Sequence, residues 1–305
     1  MVWQVDKAMR FDSYHPIIHF IYFTIVVLCT AYFKHPVFLG ISLVCSFLYS
    51  VKLAGIRVIP LNIILILLAL GYGFWFMSYE HFGTSVIVIN GIGNKITRES
   101  LYFGLTGGIT FSALGIWWIC ICKVVTTDKL AYLLGRISPC FSLYFALFLR
   151  MLPEIKRKAS AMEEGREGIG RGVRQGNIVK RLIYLRVLFS SLIIRGIEGF
   201  LEKSDSMRSR GYSLPKRTCF SIYRFDNRDR GFLIFMFFLI TIVGIGAACQ
   251  ETAISFDPVI VMAPVTGLSL ICYLSYASFL LLPMAVQIRE EYRFSKSIKK
   301  GALLP

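Results

Sequence analysis

The sequence predicts an all-α integral membrane protein with about six transmembrane helices and a module of long amphipathic helices between the fourth and fifth. Of its 305 residues, 55% are hydrophobic, and the mean hydropathy is +0.62. That is more apolar surface than one soluble core requires. The formal net charge is +16, and Lys and Arg concentrate between the apolar runs, as in cytoplasmic loops. This distribution favours a membrane protein over a nucleic-acid-binding one.

Four apolar runs in the first 122 residues are predicted to cross the bilayer. They are Pro16–Phe33, Val37–Val51, Val58–Met77 and Leu101–Cys122. At 1.5 Å per residue, most of them match a hydrocarbon core of roughly 30 Å. The second run is short and spans the core only if it is tilted or extended towards Lys52. In the first run, a lone His19 near the helix start is expected at the membrane interface.

The fourth run and the loop before it carry local signals. Gly104, Gly107 and Gly108 are spaced so that another helix could approach one face of the run closely. Trp117 and Trp118 are expected to mark its inner boundary. The polar residues 78–100 form a loop, in which the alternating run Ser85–Ile89 suggests a small hairpin.

Two further spans follow residue 231. They are Phe232–Cys249 and Val259–Val286, the second broken or kinked around Pro264 and Pro283. Six spans with both termini in the cytoplasm place all the basic loops on one side. The expected divisions are therefore residues 1–122 (four spans), 123–231 (cytoplasmic module), 232–288 (two spans) and 289–305 (basic tail). The N-terminus has no small-residue cleavage site, which predicts an uncleaved membrane protein in the cell membrane.

The module 123–231 holds most of the positive charge. Phe141–Leu152 is apolar but too short to span, so it is expected to lie at the membrane boundary or pack against the spans. A charged helix is predicted from Pro153 to about Gly172, with Glu167 and Arg171 at the favourable i, i+4 spacing. Ile178–Arg210 is the longest helical pattern in the chain.

Part of that last pattern could itself be a transmembrane span. Ile183–Leu201 is long and apolar enough, but it would place Arg186, Arg195 and Glu198 within the hydrocarbon. Each Arg there costs about 2.5 to 3.5 kcal/mol on insertion scales. Apolar residues also recur every three to four positions. An amphipathic helix outside the hydrocarbon is the preferred interpretation.

Both charged helices are expected to end with an Arg followed by Gly. The runs are Gly170-Arg171-Gly172 and Ser209-Arg210-Gly211. The simplest interpretation is a helix C-cap, with a cation near the negative end of the dipole and Gly as the left-handed residue. Two such ends in one basic segment also favour a docking role, because the planar guanidinium suits carboxylates and carbonyls of another protein.

At these residues the chain resembles the T component of energy-coupling factor transporters, an ABC-type importer subunit. In that family the coupling helices end in two Ala-Arg-Gly motifs. Ser204–Tyr212, which includes Asp205, Met207 and Tyr212, is similar to the family's Ala-Asp-x-Met-x-x-Arg-Gly-Tyr, with Ser for Ala at two places. Gly170-Arg171-Gly172 is similar to the first motif, with Gly for Ala. Arg150–Pro153 resembles the family's Arg-x-x-Pro. The likeness in layout covers roughly Arg10 to Cys249.

The resemblance implies a coupling role for a subunit that is not itself an enzyme. Arg171 and Arg210 would dock on two cytoplasmic ABC ATPases and transmit their motion to a membrane-embedded substrate-binding subunit, which imports a vitamin or a metal ion. No Gly-x-x-x-x-Gly-Lys-Ser/Thr loop is present, so ATP hydrolysis is expected in the partners, and no cofactor, metal site or nucleic-acid partner is expected.

Two other classes of function remain as alternatives. A substrate-binding permease of another ABC-type transporter would carry its own substrate site. An intramembrane enzyme would need paired ionisable or nucleophilic groups within the spans, but the spans offer only scattered Ser, Cys and Tyr, and one His.

Overall fold

The computed structural model describes residues 14–79, 83–89, 95–173, 177–212, 223, 225–256, 259–262 and 264–301. The α-helices in these ranges are α1 (Pro16–Tyr32), α2 (Pro36–Ala54), α3 (Ile59–Tyr79), α4 (Arg98–Val124), α5 (Thr127–Ile137), α6 (Pro139–Glu167), α7 (Ile178–Ser209), α8 (Asn227–Ala248) and α9 (Gly267–Gly301). The strands are β1 (Val86–Ile89), β2 (Lys95–Thr97), β3 (Ile254–Ser255) and β4 (Val261–Met262). The chain divides into two compact units, Met1–Thr126 with Tyr223–Pro305, and Thr127–Ile222.

Five helical segments of the first unit are long and apolar enough to cross a membrane. They are Pro36–Ala54, Ile56–Tyr79, Arg98–Val124, Asn227–Ala248 and Gly267–Arg293. The apolar helix α1 is shorter, at 17 residues. The structure therefore confirms an all-α, membrane-embedded protein. Although α7 has 32 residues, it is not among these candidate spans.

The ends of two spans differ from the sequence prediction. The second span continues beyond Val51 to Ala54, with Lys52 in its last turn. Its 19 residues make it long enough to cross a membrane. The last span begins only at Gly267, because Val261 and Met262 pair with the strand β3 instead. Pro264 therefore precedes the helix, and the basic residues after Arg289 continue α9 without interruption as far as Gly301.

Two helices begin with the same dipeptide, which caps them in the same way. In α1 and α2, a His-Pro pair places Pro in the first turn, where its missing N–H costs nothing. The Nδ1 atom of His15 accepts a hydrogen bond from the Ile17 N–H at 3.3 Å, and His35 does the same for Val37 at 3.4 Å. Each imidazole thus satisfies one of the unpaired N–H groups at a helix start.

Trp117 lies at the centre of the first unit's core. It is fully buried, and its ring packs edge-on against Tyr22 and Phe23 of α1. Its Nε1 donates a hydrogen bond to the Ser42 hydroxyl at 3.1 Å. Trp117 is thus a core residue of this unit, whereas its neighbour Trp118 is 65% exposed.

Hydrogen bonds extend from Ser42 to two more helices. The Ser42 and Thr30 hydroxyls are 2.9 Å apart, and the Thr30 hydroxyl lies 3.5 Å from that of Tyr276 on α9. All three side chains are buried. The network therefore joins α1, α2, α4 and α9. His19, on α1, is likewise buried rather than exposed, at 1%.

The helices α3 and α4 touch through their backbones. A Cβ atom on Gly104 would lie 2.8 Å from the Gly73 carbonyl oxygen, and one on Gly108 would overlap the Ala69 carbonyl. This confirms the close helix approach predicted from the glycine spacing, with α3 as the partner. The predicted hairpin is also present, because β1 pairs with β2 in antiparallel register.

The glycine contact predicts different outcomes for two neighbouring substitutions. Gly108→Ala should lower the free energy of unfolding by about 1 to 3 kcal/mol, because the added methyl group must push α3 away. Gly107→Ala is the matched control, since its Cβ would meet only the Tyr72 ring at an ordinary 3.6 Å. Thermal unfolding of both variants in detergent measures the difference. Equal stability of the two variants would contradict the predicted helix contact.

Candidate functional site

In the second unit, α6 is one continuous helix. It runs from Pro139 to Glu167, so it includes both the apolar stretch Phe141–Leu152 and the charged stretch after it. The prediction of a separate helix starting at Pro153 is therefore wrong. Proline begins this helix at Pro139, and Pro153 lies in its interior, where it removes one backbone hydrogen bond at a cost of about 3 kcal/mol.

The helix α5 packs against the beginning of α6. The Ser142 hydroxyl donates a hydrogen bond to the Ala131 carbonyl at 2.6 Å. Gly135 lies beside the same serine, and a Cβ there would come within 3.2 Å of its Oγ. The α5–α6 pair is thus a close helical hairpin that holds the apolar half of α6.

A cluster of one carboxylate and two ammonium groups joins α6 to α7. The Glu154 carboxylate accepts hydrogen bonds from Lys203 on α7 and from Lys158 one turn further along α6, the latter at 3.3 Å. These two ammonium groups lower the pKa of the Glu154 carboxyl, with Lys203 making the larger contribution. The sequence did not reveal this contact, because Glu154 and Lys203 are distant in the chain and belong to helices that both carry many charges.

Two grooves flank the ion pair, and the residues that line them show the relative direction of α6 and α7. One groove, of about 470 Å³, is mainly apolar and lies between the first half of α6 and the end of α7. It includes Tyr144 and Met151 on one side and Phe200, Met207 and Tyr212 on the other. The second groove, of about 500 Å³, contains several charged side chains and lies between Lys158–Met162 and Arg195–Glu202. Later residues of α6 thus face earlier residues of α7, so the two helices cross in opposite directions.

The crossing separates the two arginine motifs. Beyond Glu154, α6 continues for roughly 20 Å to its end near the first motif. Beyond Lys203, α7 continues for roughly 9 Å in the opposing direction to the second motif. The structure therefore keeps the motifs apart, one at the C-terminal end of each helix.

Both helix ends have the same hydrogen-bond pattern, the Schellman motif. At the end of α6, the Arg171 N–H bonds to the Arg166 carbonyl at 2.9 Å and the Gly170 N–H to the Glu167 carbonyl at 3.0 Å. At the end of α7, the Tyr212 N–H bonds to Met207 and the Gly211 N–H to Arg208, both at 3.1 Å. Gly170 and Gly211 are the left-handed residues, with φ of 76° and 75°.

The arginines occupy different positions in these two turns. Arg210 precedes its left-handed glycine, whereas Arg171 follows its own. The expectation that Gly172 caps the first helix is therefore wrong, since Gly170 has that role. Gly172 is instead buried against the Glu167 side chain, which a Cβ would overlap. Because α6 ends at Glu167, the predicted helical i, i+4 pair of Glu167 with Arg171 does not form within the helix.

The other motif residues of α7 divide between the groove and the solvent. Met207 is half-buried and lines the apolar groove together with Tyr212, which is 38% exposed. Asp205 and Ser209 are exposed, and the Ser209 hydroxyl donates to the Ser206 carbonyl at 2.9 Å. Of the motif residues Asp205, Met207, Ser209 and Tyr212, Met207 and Tyr212 thus face the groove between the helices.

The guanidinium groups of Arg171 and Arg210 are available to donate hydrogen bonds to another molecule. Arg171 and Arg210 are exposed, and neither forms a salt bridge with a carboxylate of the described ranges. In both turns the last carbonyls are satisfied by backbone N–H groups, so the arginine side chains are not required as caps. Each can offer a planar set of donors to another molecule.

Much apolar surface also remains uncovered on α7. No residue of Ile178–Ser209 is buried, and large side chains such as Phe189, Ile194 and Leu201 are more than half exposed. Contiguous apolar surface of this kind marks a contact with another protein or with lipid.

No protein family matches the sequence, and no curated protein is significantly similar to it. The function of the chain therefore has to be inferred from its own residues.

The left-handed glycines predict a local loss of stability on substitution. Gly170→Ala and Gly211→Ala should each destabilise the last helical turn by about 1 kcal/mol, because L-residues disfavour positive φ. Hydrogen exchange of the backbone amides at the two helix ends measures the change. Gly196→Ala, within α7 and with open space around it, is the control and should slow exchange or leave it unchanged. Faster exchange in the control than in the cap variants would contradict the assignment.

The ion pair predicts a pH dependence of the α6–α7 contact. Since the pKa of Glu154 is lowered in the folded state, its stabilisation is present above the ordinary glutamate pKa of about 4.3 and is lost as the pH falls through the folded value. Glu154→Gln should weaken the contact at pH 7, and its difference from the wild type should disappear as the pH falls through the lowered pKa of Glu154. Distances between spin labels on α6 and α7 measure it. Glu163→Gln on α6 is the control, and an equal effect of this variant would refute the pairing.

Proposed function

We propose that this chain is the transmembrane T component of an energy-coupling factor ABC importer. In this role it transmits ATP binding and hydrolysis in two cytoplasmic ATPases to a membrane-embedded substrate-binding subunit. The cargo would be a vitamin or a metal ion. The chain itself would hydrolyse no ATP, because it has no phosphate-binding Gly-x-x-x-x-Gly-Lys-Ser/Thr loop.

One observation carries the proposal. Two long helices, in a unit distinct from the candidate spans, each end in a hydrogen-bonded backbone turn that contains an exposed arginine with no salt bridge to the described carboxylates. Arginine is the side chain best suited to form several directed hydrogen bonds with a protein partner, and it is enriched at binding hot spots. A stiff helix with one anchoring cation at its end is what transmission of a displacement requires.

The second motif supports this role more strongly than the first. Arg210 is followed by Gly211 and Tyr212, and this order resembles the family pattern over nine positions. In the first motif, Gly170 stands where the family has Ala, and the backbone turn around it is shifted by two residues relative to the second. We therefore assign Arg210 to the principal ATPase contact and Arg171 to a second, differently oriented one.

The proposed topology has six spans in the cell membrane. It counts α1 as a span, since 17 residues reach the lower limit for crossing a hydrocarbon core. Both termini and the second unit then lie in the cytoplasm, in agreement with the positive-inside rule. The exposed apolar surface of α7 would in this arrangement be available for contact with a partner subunit.

A substrate-binding permease of another ABC-type transporter is the alternative. It shares the exposed arginines, because any ABC membrane subunit must contact its ATPases. Uptake by this chain and ATPases alone would favour the permease, whereas a requirement for a further membrane subunit would favour the T component. Affinity purification from membranes followed by mass spectrometry identifies the partners directly.

The coupling role predicts that the double variant Arg171→Ala/Arg210→Ala loses its ATPases. Each arginine is expected to contribute on the order of 2 kcal/mol as an interface hot spot, or about thirtyfold in affinity. ATPase copurification and substrate uptake measure the loss. The matched control is Arg157→Ala/Arg186→Ala, which removes two exposed arginines from the same helices, away from their C-terminal ends. Wild-type copurification and uptake in the first variant would refute the proposal.

A further inference from the structure

Two ion pairs connect the basic end of α9 to the end of α2 and to the start of α8. Lys52, in the last turn of α2, lies 2.7 Å from Glu291, and Arg228, in the first turn of α8, lies 3.6 Å from Glu290. The Arg228 guanidinium also lies over the Tyr14 ring, at 4.3 Å from its centroid. The end of α2 and the start of α8 therefore meet α9 where its apolar segment stops. This level is one boundary of the membrane-embedded unit.

The ion pairs neutralise acidic residues of this boundary and leave an excess of positive charge among the described residues. Glu290 and Glu291 are the acidic residues of α9, and both are paired. Asp229 is buried and Asp226 caps the start of α8, where the two form a capping box. The basic residues that remain exposed here are Arg57, Arg230, Arg289, Arg293 and Lys296.

Three of these cations form a stripe on α9. Arg289, Arg293 and Lys296 follow one another at spacings of four and three residues, which places them on one face of the helix. Exposed Tyr292 and Ile288 lie beside them, at 70% and 45%. An aromatic ring next to Lys and Arg at the end of a span is typical of a position at the lipid headgroups.

We propose that this stripe binds the headgroups of anionic phospholipids, with Arg289 and Arg293 as the principal contacts. The headgroup layer extends roughly 5 to 7 Å beyond the hydrocarbon on each side. Arg293 lies about 6 Å beyond Arg289 along the helix, so both fall within this layer. Lys296 lies about 10 Å beyond Arg289, within one Debye length of the charged surface.

The charge pattern favours lipid over an acidic protein as the occupant. The cations are at the membrane boundary and come from three separate segments, α9, the start of α8, and the turn that contains Arg57. Cations contributed by three segments fit a continuous layer of negative charge better than the surface of one protein. The inference does not depend on the proposed transport function, because it concerns only the membrane unit.

The test uses the full chain in a neutral detergent. Native mass spectrometry measures the apparent Kd for phosphatidylglycerol and for phosphatidylcholine of the same acyl chains. Each cation near an anionic surface contributes about fivefold, so Arg289→Gln/Arg293→Gln should reduce the preference for phosphatidylglycerol by about thirtyfold. Raising the salt to about 0.5 M should reduce the wild-type preference as well.

Two further variants keep the result interpretable. Arg289→Lys/Arg293→Lys retains the charge and should retain the preference within about threefold, which also shows that the end of α9 still folds. Lys156→Gln/Arg157→Gln removes the same charge from the other unit and should leave the preference unchanged. The proposal is overturned if the wild type shows no preference, if the Gln variant keeps it, or if the α6 control loses it equally.

Discussion

The first unit depends on the hydrogen bond from the Trp117 indole to Ser42. Within a bilayer, apolar surface gains little by moving from lipid to protein, so helices associate through close packing and through polar groups that need partners. The indole N–H, the Ser42 and Thr30 hydroxyls and the Tyr276 phenol are all buried and satisfy one another. Because these groups come from α1, α2, α4 and α9, loss of any one leaves a buried polar atom on a neighbouring helix.

The second unit is held together on a different basis. Its longest helix buries no residue, and α6 and α7 meet at the Glu154 ion pair, which lies between two open grooves. Long helices with little tertiary contact rely on their caps and on intrinsic propensity. The Schellman turns at Gly170 and Gly211 are therefore a larger part of this unit's stability than they would be in a well-packed domain.

The sequence predicted features that arise from local pattern. Apolar run length located the long apolar helices, although not the start of the last one, and glycine spacing predicted the α3–α4 contact. The Arg-Gly pair predicted the end of α7. The sequence did not predict features that depend on contacts between residues distant in the chain. Tryptophan is common at membrane boundaries, and contacts with Tyr22, Phe23 and Ser42 on other helices make Trp117 a core residue. Gly170 and Gly172 are equally able to end a helix, and the choice depends on Gly172 packing on Glu167. Pro153 resembles a helix start because it lies between an apolar stretch and a charged one. The helix begins earlier, at Pro139, before the apolar stretch.

The crossing point of α6 and α7 also divides each helix into arms of unequal length. Measured from the Glu154–Lys203 contact, the arm that carries Arg171 is roughly 20 Å of helix, whereas the arm that carries Arg210 is roughly 9 Å. A small rotation of either helix about this pivot displaces its tip in proportion to the arm. For equal rotations, the tip of α6 therefore travels about twice as far as the tip of α7 and exerts about half the force for the same torque.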